Sequence, residues 1–152
     1  MDKNTIHHDV ELKNFNSWKV GGRAEHFLIC DEKAILASLI KKNKIKLPIT
    51  FVGLGSNLLI RDGGIKGTVI VMNGGLGKIN NDNDLIYSEA GVSCSKLSKF
   101  SAKHGLAKSA FFSGIPGTVG GALAMNAGCY GSETWDYVEK VLMINLSGNQ
   151  VE

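Results

Sequence analysis

Cysteine is scarce and unpatterned in this sequence: Cys30, Cys94 and Cys129 are an odd number, far apart, with no Cys-x-x-Cys pair. That excludes a disulfide framework and a zinc site of the usual spacing, and marks the three as reduced thiols. Long runs of one charge are missing as well, the densest being KKNKIK at 41–46. The 17 Lys and Arg are spread among 14 Asp and Glu for a net charge of +3, so no basic stripe invites nucleic acid. No stretch approaches the roughly 20 apolar residues of a membrane span, because the charge-free segment 109–132 is interrupted by Pro116, Asn126 and several glycines. The opening MDKNTIHHDVELKN lacks the apolar core of a secretory signal. The expectation is a cytoplasmic protein with neither nucleic acid nor membrane as partner. His7 and His8 have no acidic or thiol residues at ligand spacing, so no metal site is expected, and the pair is read as solvated chain ahead of the first element.

What is present suits one globular domain or two small lobes: 152 residues, 43% of them hydrophobic. EHFLIC (25–30) reads as a strand, after which Asp31 caps a helix carrying Ile35, Leu36, Leu39 and Ile40 on one face. ITFVG (49–53) and GTVIVM (67–72) are further strands, and this β-α-β order favours a small parallel or mixed sheet. Beyond Gly74, DLIYSEAG (84–91) reads as a strand and SCSKLSKFSAKHG as a helix closed by Gly105. YVEKVLMINL (137–146) alternates as a strand does, and SGN (147–149) turns it back. A hairpin arm ending at Glu152 leaves an open edge, and the chain is expected to be the front part of a longer protein.

Two glycine-rich stretches stand out. In VGLGSNLLI (52–60) a strand runs directly into Gly53, Gly55, Ser56 and Asn57. Small residues there let successive amides point into one concavity, which is how an anion nest is made; a plain tight turn is the competing reading. Leu58 stands where the third glycine of a Rossmann fingerprint belongs, so that fingerprint is not matched. In GIPGTVGGALAMNAG (114–128), Pro116 makes a turn, Gly117 and Thr118 open a helix, and Gly120 and Gly121 fall in its first turns. Interior helix glycines cost about 1 kcal/mol each against alanine. Either close helix packing or a flat cofactor against the backbone accounts for them, and free amides at the helix start favour an anion. The two stretches together favour a large phosphorylated cofactor lying across both.

NSWKVGGRAEHFL (16–28), GLGSNLLIRDGGIKGTVI (53–70), AGVSCSKL (90–97) and SGIPGTVGGALAMNAGCYGSE (113–133) follow the order seen in the UDP-N-acetylenolpyruvoylglucosamine reductase family, which the chain resembles from Phe15 onward. Ser17 and Cys129 replace the frequent threonine and alanine. The resemblance implies an α+β fold, a two-lobed FAD-binding domain of the PCMH or vanillyl-alcohol oxidase type: 1–14 an N-terminal extension, 15–73 the first lobe, 74–152 an incomplete second lobe, with the substrate-binding domain absent. It implies FAD as cofactor, NADPH as hydride donor and a UDP-sugar as substrate, in peptidoglycan synthesis. By motif, Gly53, Gly55, Ser56, Asn57 and Leu58 meet the FAD diphosphate, while Ile115, Pro116, Gly117, Thr118, Gly120, Gly121, Asn126, Ala127 and Gly128 line the flavin side. It further implies that the catalytic arginine, serine and glutamate lie in segments beyond this chain, which would be inactive alone; a stand-alone flavin-binding or structural module is the alternative.

Other residues have plainer readings. Cys129 is a small buried thiol, His104 faces a helix C-terminus, Arg61 and Asp62 form a surface turn, and Trp18 and Trp135 are packing residues. Tyr130 has two readings, at a substrate pocket or in core or rim packing.

Overall fold

The structure, a computed structural model, describes residues 1–152. Its main sheet has the order β1 (Ile6–Glu11), β2 (Arg23–Ile29), β4 (Ile65–Val71), β3 (Ile49–Val52), with β1 antiparallel to β2 and the other pairs parallel. β2 reaches β3 through α1 (Lys33–Lys41), and β3 reaches its parallel neighbour β4 through the irregular segment 53–64. A parallel pair needs a long crossover, so the glycine stretch has to leave the carboxyl end of β3 and travel across the domain.

Both faces of the sheet are covered. Val10, Leu12, Ala24, Phe27, Val52, Ile60, Val69 and Val71 form the core on one side, while Leu28, Cys30, Ile70, Leu36 and Ile40 pack with α1 on the other. Thr68 to Val71 are all buried, the continuous run expected of a strand enclosed on both faces.

Most of the rest of the chain builds a second core, while Ile144 packs with the α1 side of the first and Gly148 lies against α1. β5 (Ile79–Asp82) and β6 (Leu85–Ser88) form a hairpin, followed by α2 (Cys94–Lys103), a 3-10 helix at Ala107–Gly114 and α3 (Val119–Met125). Val92, Cys94, Leu97, Phe111, Phe112, Val119 and Ala122 fill the space between them. Ser93 caps α2, its hydroxyl accepting from the Lys96 amide. Gly105, at φ +78°, lies just past the helix, as its position implied. β7 (Gly128–Cys129) pairs β8 (Ser132–Glu133), a 3-10 turn covers Thr134–Tyr137, and β9 (Met143–Ile144) pairs β10 (Gln150–Val151).

Four expectations are corrected. His7 and His8 do not precede the first element: they lie in β1, where His8 faces His26 across the pair. Asp31 does not cap α1; Glu32 occupies that position without a side-chain bond, because Asn4, placed beside β2 by β1, donates to the Asp31 carboxylate. The strand foreseen over 137–146 is reduced to Met143–Ile144. Asp136 accepts from the Glu133 amide and winds the preceding residues into a 3-10 turn. The strand over 84–91 is shorter, and its partner β5 had no clear apolar alternation to mark it.

Candidate functional site

Residues 53–58 and the start of α3 are distant in sequence and meet in space. Gly53 packs so closely on Thr118 that a Cβ there would overlap the Thr118 Oγ1. Thr118 is 1% exposed and caps α3, its hydroxyl accepting from the Gly121 amide at 3.3 Å. Beside this contact the two stretches stay close without crowding: a Cβ on Gly117 would have Ile115 Cγ2 at 3.8 Å and Ser56 Oγ at 3.9 Å, both at ordinary contact distance. Ser56 and Gly117 are therefore neighbours across the seam between the two stretches.

The loop itself is unspent. None of the backbone amides from Gly53 to Leu58 donates to a protein acceptor, and the side chains of Ser56 and Asn57 make no hydrogen bond within the chain. Buried or half-buried amides without acceptors are rare in folded proteins, and a run of them after a strand is an anion nest. Neither 53–58 nor 115–121 contains a carboxylate that would repel a phosphate. A diphosphate supplies the acceptors that this loop lacks, so the residues present fit FAD.

The helix start is different, and here the sequence reading is corrected. α3 has seven residues, and its first amides are engaged: Val119 donates to Val92 O, Gly120 to Ala90 O, and Gly121 to Thr118 Oγ1. No free set of amides remains for an anion. The two readings of the glycine pair are also separated. Gly120 is required by packing, since a Cβ would stand 2.8 Å from Ala90 Cβ, whereas Gly121 is exposed and has only Thr118 Oγ1 near it, at 3.5 Å.

Beyond α3, Asn126 adopts a left-handed conformation (φ +44°) as the C-cap. Its carboxamide is committed, donating to Glu133 Oε2 at 2.7 Å and accepting from the Trp135 amide at 3.1 Å. The Ala127 carbonyl accepts from the hydroxyl and the amide of Thr134, and Gly128 lies against Ser132 in the β7–β8 hairpin. Ile115 is half-buried against the second core and Pro116 is exposed. Residues 126–128 thus follow α3 as a turn braced by Glu133, Thr134 and Trp135, while Thr118 and Gly117 are the residues of this stretch that lie against Gly53 and Ser56.

Several side chains sit elsewhere than expected. Trp18 is exposed, Trp135 is half-exposed with its indole N–H donating to Leu123 O, and Tyr130 is 80% exposed with its ring edge beside Gly114. Cys129 is half-buried against Gly114. Burial pushes the Cys94 thiol up to about 11 although it opens α2, so desolvation outweighs the helix-start effect that activates a cysteine. Burial likewise raises Cys30. His104 is found as foreseen at the end of α2, its ring nitrogen 2.8 Å from Phe100 O. Neither arginine side chain bonds to residues 53–58 or 115–121: Arg23 pairs with Asp9 and Glu11, and Arg61 is exposed. A separate cleft of about 380 Å³ between residues 73–78 and the start of α2 is lined by Asp31, Glu89, Lys78 and Lys96; its mixed charges select no anion.

The chain and its fold have counterparts among known proteins. Residues 25–152 match the model of the FAD binding domain family. The chain belongs to that family. It is 46% identical over 147 residues to the UDP-N-acetylenolpyruvoylglucosamine reductase of Nitrosospira multiformis, covering 94% of this chain and 42% of the relative. The corresponding reductase of Coxiella burnetii is 44% identical over 160 residues, covering 92% of this chain and 51% of that protein. The crystal structure of UDP-N-acetylenolpyruvylglucosamine reductase from Thermus caldophilus aligns with a TM-score of 0.65 at 26% identity, covering 87% of this chain and 45% of the other. The chain spans about half the length of the relatives it matches. No helix is long and apolar enough to cross a membrane.

Proposed function

We propose that this chain is the FAD-binding part of an NADPH-dependent reductase that converts UDP-N-acetylglucosamine enolpyruvate to UDP-N-acetylmuramate for peptidoglycan synthesis. The observation that carries the reading is the run of unpaired amides from Gly53 to Leu58 beside Gly117, in a chain 46% identical to a protein of that name. FAD, when bound, supplies the hydride relay between NADPH and the enolpyruvyl group. The chain's own residues bind and orient it. The amides of Gly53, Gly55 and their neighbours, with the Ser56 hydroxyl and Asn57 carboxamide, hold the diphosphate. Ile115, Pro116, Gly117, Gly121, Asn126, Ala127 and Gly128 border the flavin. Thr118 and Gly120 support that border from behind. The lobes 15–73 and 74–152 meet at this seam.

Reduction of an enol ether next to a carboxylate develops negative charge that needs a positioned cation and then a proton donor. This reading assigns those groups to the part of the relatives that this chain does not span. Titration of FAD fluorescence tests the cofactor reading: saturable quenching is expected, and no binding by folded protein at high micromolar FAD overturns it. NADPH oxidation with FAD and enolpyruvyl substrate is expected to show no substrate-dependent turnover; turnover by the 152-residue chain alone would refute the placement of the catalytic groups.

A further inference from the structure

Asn16 opens the motif NSWKVGGRAEHFL without being one of the expected FAD contacts, yet it is 2% exposed. Its Nδ2 donates to Leu12 O and to Val20 O, each at 2.9 Å, closing residues 12–20 into a fixed bend after β1. Its Oδ1 is buried with no protein partner, an uncommon condition for a polar atom in a folded chain. The next residue ties this bend to the nest: the Ser17 amide donates to Gly55 O at 3.0 Å. Gly55 is held at φ +67° and lies so close to Phe15 O and Asn16 Cα that a Cβ would overlap both.

Resting on the reading of residues 53–58 as a diphosphate site, we propose that Asn16 is a positioning residue for that site. It fixes the bend that carries Gly55, and so keeps the amides of the nest turned toward one anion. The residue type follows from the geometry. Two carbonyls converge on one nitrogen, so a carboxylate would set oxygen against oxygen, alanine would leave both carbonyls unpaired, and serine could serve only one. The nest cannot hold its own shape, because its amides bond to nothing in the protein. Its rigidity comes from the Gly55 carbonyl on one side and the Gly53–Thr118 contact on the other.

The test titrates the parent chain, Asn16→Ala and Asn16→Ser with FAD and with riboflavin, which carries no phosphate, and checks each variant by circular dichroism. Asn16→Ala is expected to raise the FAD Kd about tenfold and Asn16→Ser less, while the riboflavin Kd stays within about twofold. A purely structural role weakens both ligands alike, and that result, or an unchanged FAD Kd, overturns the proposal while leaving the FAD reading intact. Amide exchange on the parent chain needs no variant: FAD is expected to slow exchange at Ser17 and riboflavin to leave it unchanged, and equal effects of the two overturn the role of Asn16. A parent chain that binds riboflavin as tightly as FAD, or binds neither, overturns both the proposal and the diphosphate site on which it rests.

Discussion

Gly53→Ala is the smallest change that should separate the two halves of the site. Gly53 is not in the left-handed region, so alanine meets no backbone penalty and gains about 0.5 kcal/mol from a less flexible unfolded chain. Against this, its Cβ overlaps Thr118 Oγ1 and stands 3.3 Å from Thr118 Cγ2. Both flanking segments are held by backbone bonds, so the strain is of the overpacking kind, about 1–3 kcal/mol. Displacing the hydroxyl also loosens the cap on Gly121, worth about 1 kcal/mol. The net destabilisation is about 2–3 kcal/mol, a Tm shift on the order of 4–10 °C for a chain of this size. Thr118→Ala alone loses the cap and a buried methyl, about 1–2 kcal/mol, and removes the atom that alanine at position 53 would strike. The double variant should therefore be no less stable than Thr118→Ala, a coupling of about 2 kcal/mol between the sites. Urea unfolding followed by circular dichroism measures all four proteins. Additivity within about 0.5 kcal/mol would mean that the glycine loop and the α3 cap do not touch.

The glycine pair should divide by role: Gly120→Val is expected to lower stability by more than about 2 kcal/mol through the clash with Ala90, while Gly121→Val leaves unfolding nearly unchanged and weakens FAD binding, both read by denaturation and fluorescence titration. Of the three free thiols, only Cys129 is expected to react with an aromatic disulfide reagent in the native protein near neutral pH, with all three reacting after unfolding; prompt labelling of Cys94 would contradict its burial. Because the folded chain holds the Cys94 proton more tightly than the unfolded chain, with the thiol at about 11 against an ordinary 9.0, stability should fall as pH rises through that interval. Replacing Cys94 by alanine should flatten that part of the pH profile.

Elements whose signal is local were legible in the sequence. The apolar run of β4, the amphipathic pattern of α1, and Gly105 at the end of α2 all sit where a few neighbouring residues decide the outcome. Four ordered motifs carried the resemblance to the reductase family, and the glycine run after β3 marked a candidate nest. Tertiary structure decided which of those glycines are free to face a ligand. Gly53, Gly55 and Gly120 are small because Thr118, Asn16 and Ala90 press on them, and those partners lie 30 or more residues away, where spacing carries no information. The same holds for β1, whose polar IHHDVE becomes a strand only by pairing with β2, and for Asn16, whose two acceptors converge only once the bend is closed. Amides at 53–58 are free, and those at 119 and 120 are not, because Val92 and Ala90 reach the start of α3 first. A backbone donor's partner is set by which chain arrives within 3 Å of it in space, and sequence periodicity says only which side chains turn inward.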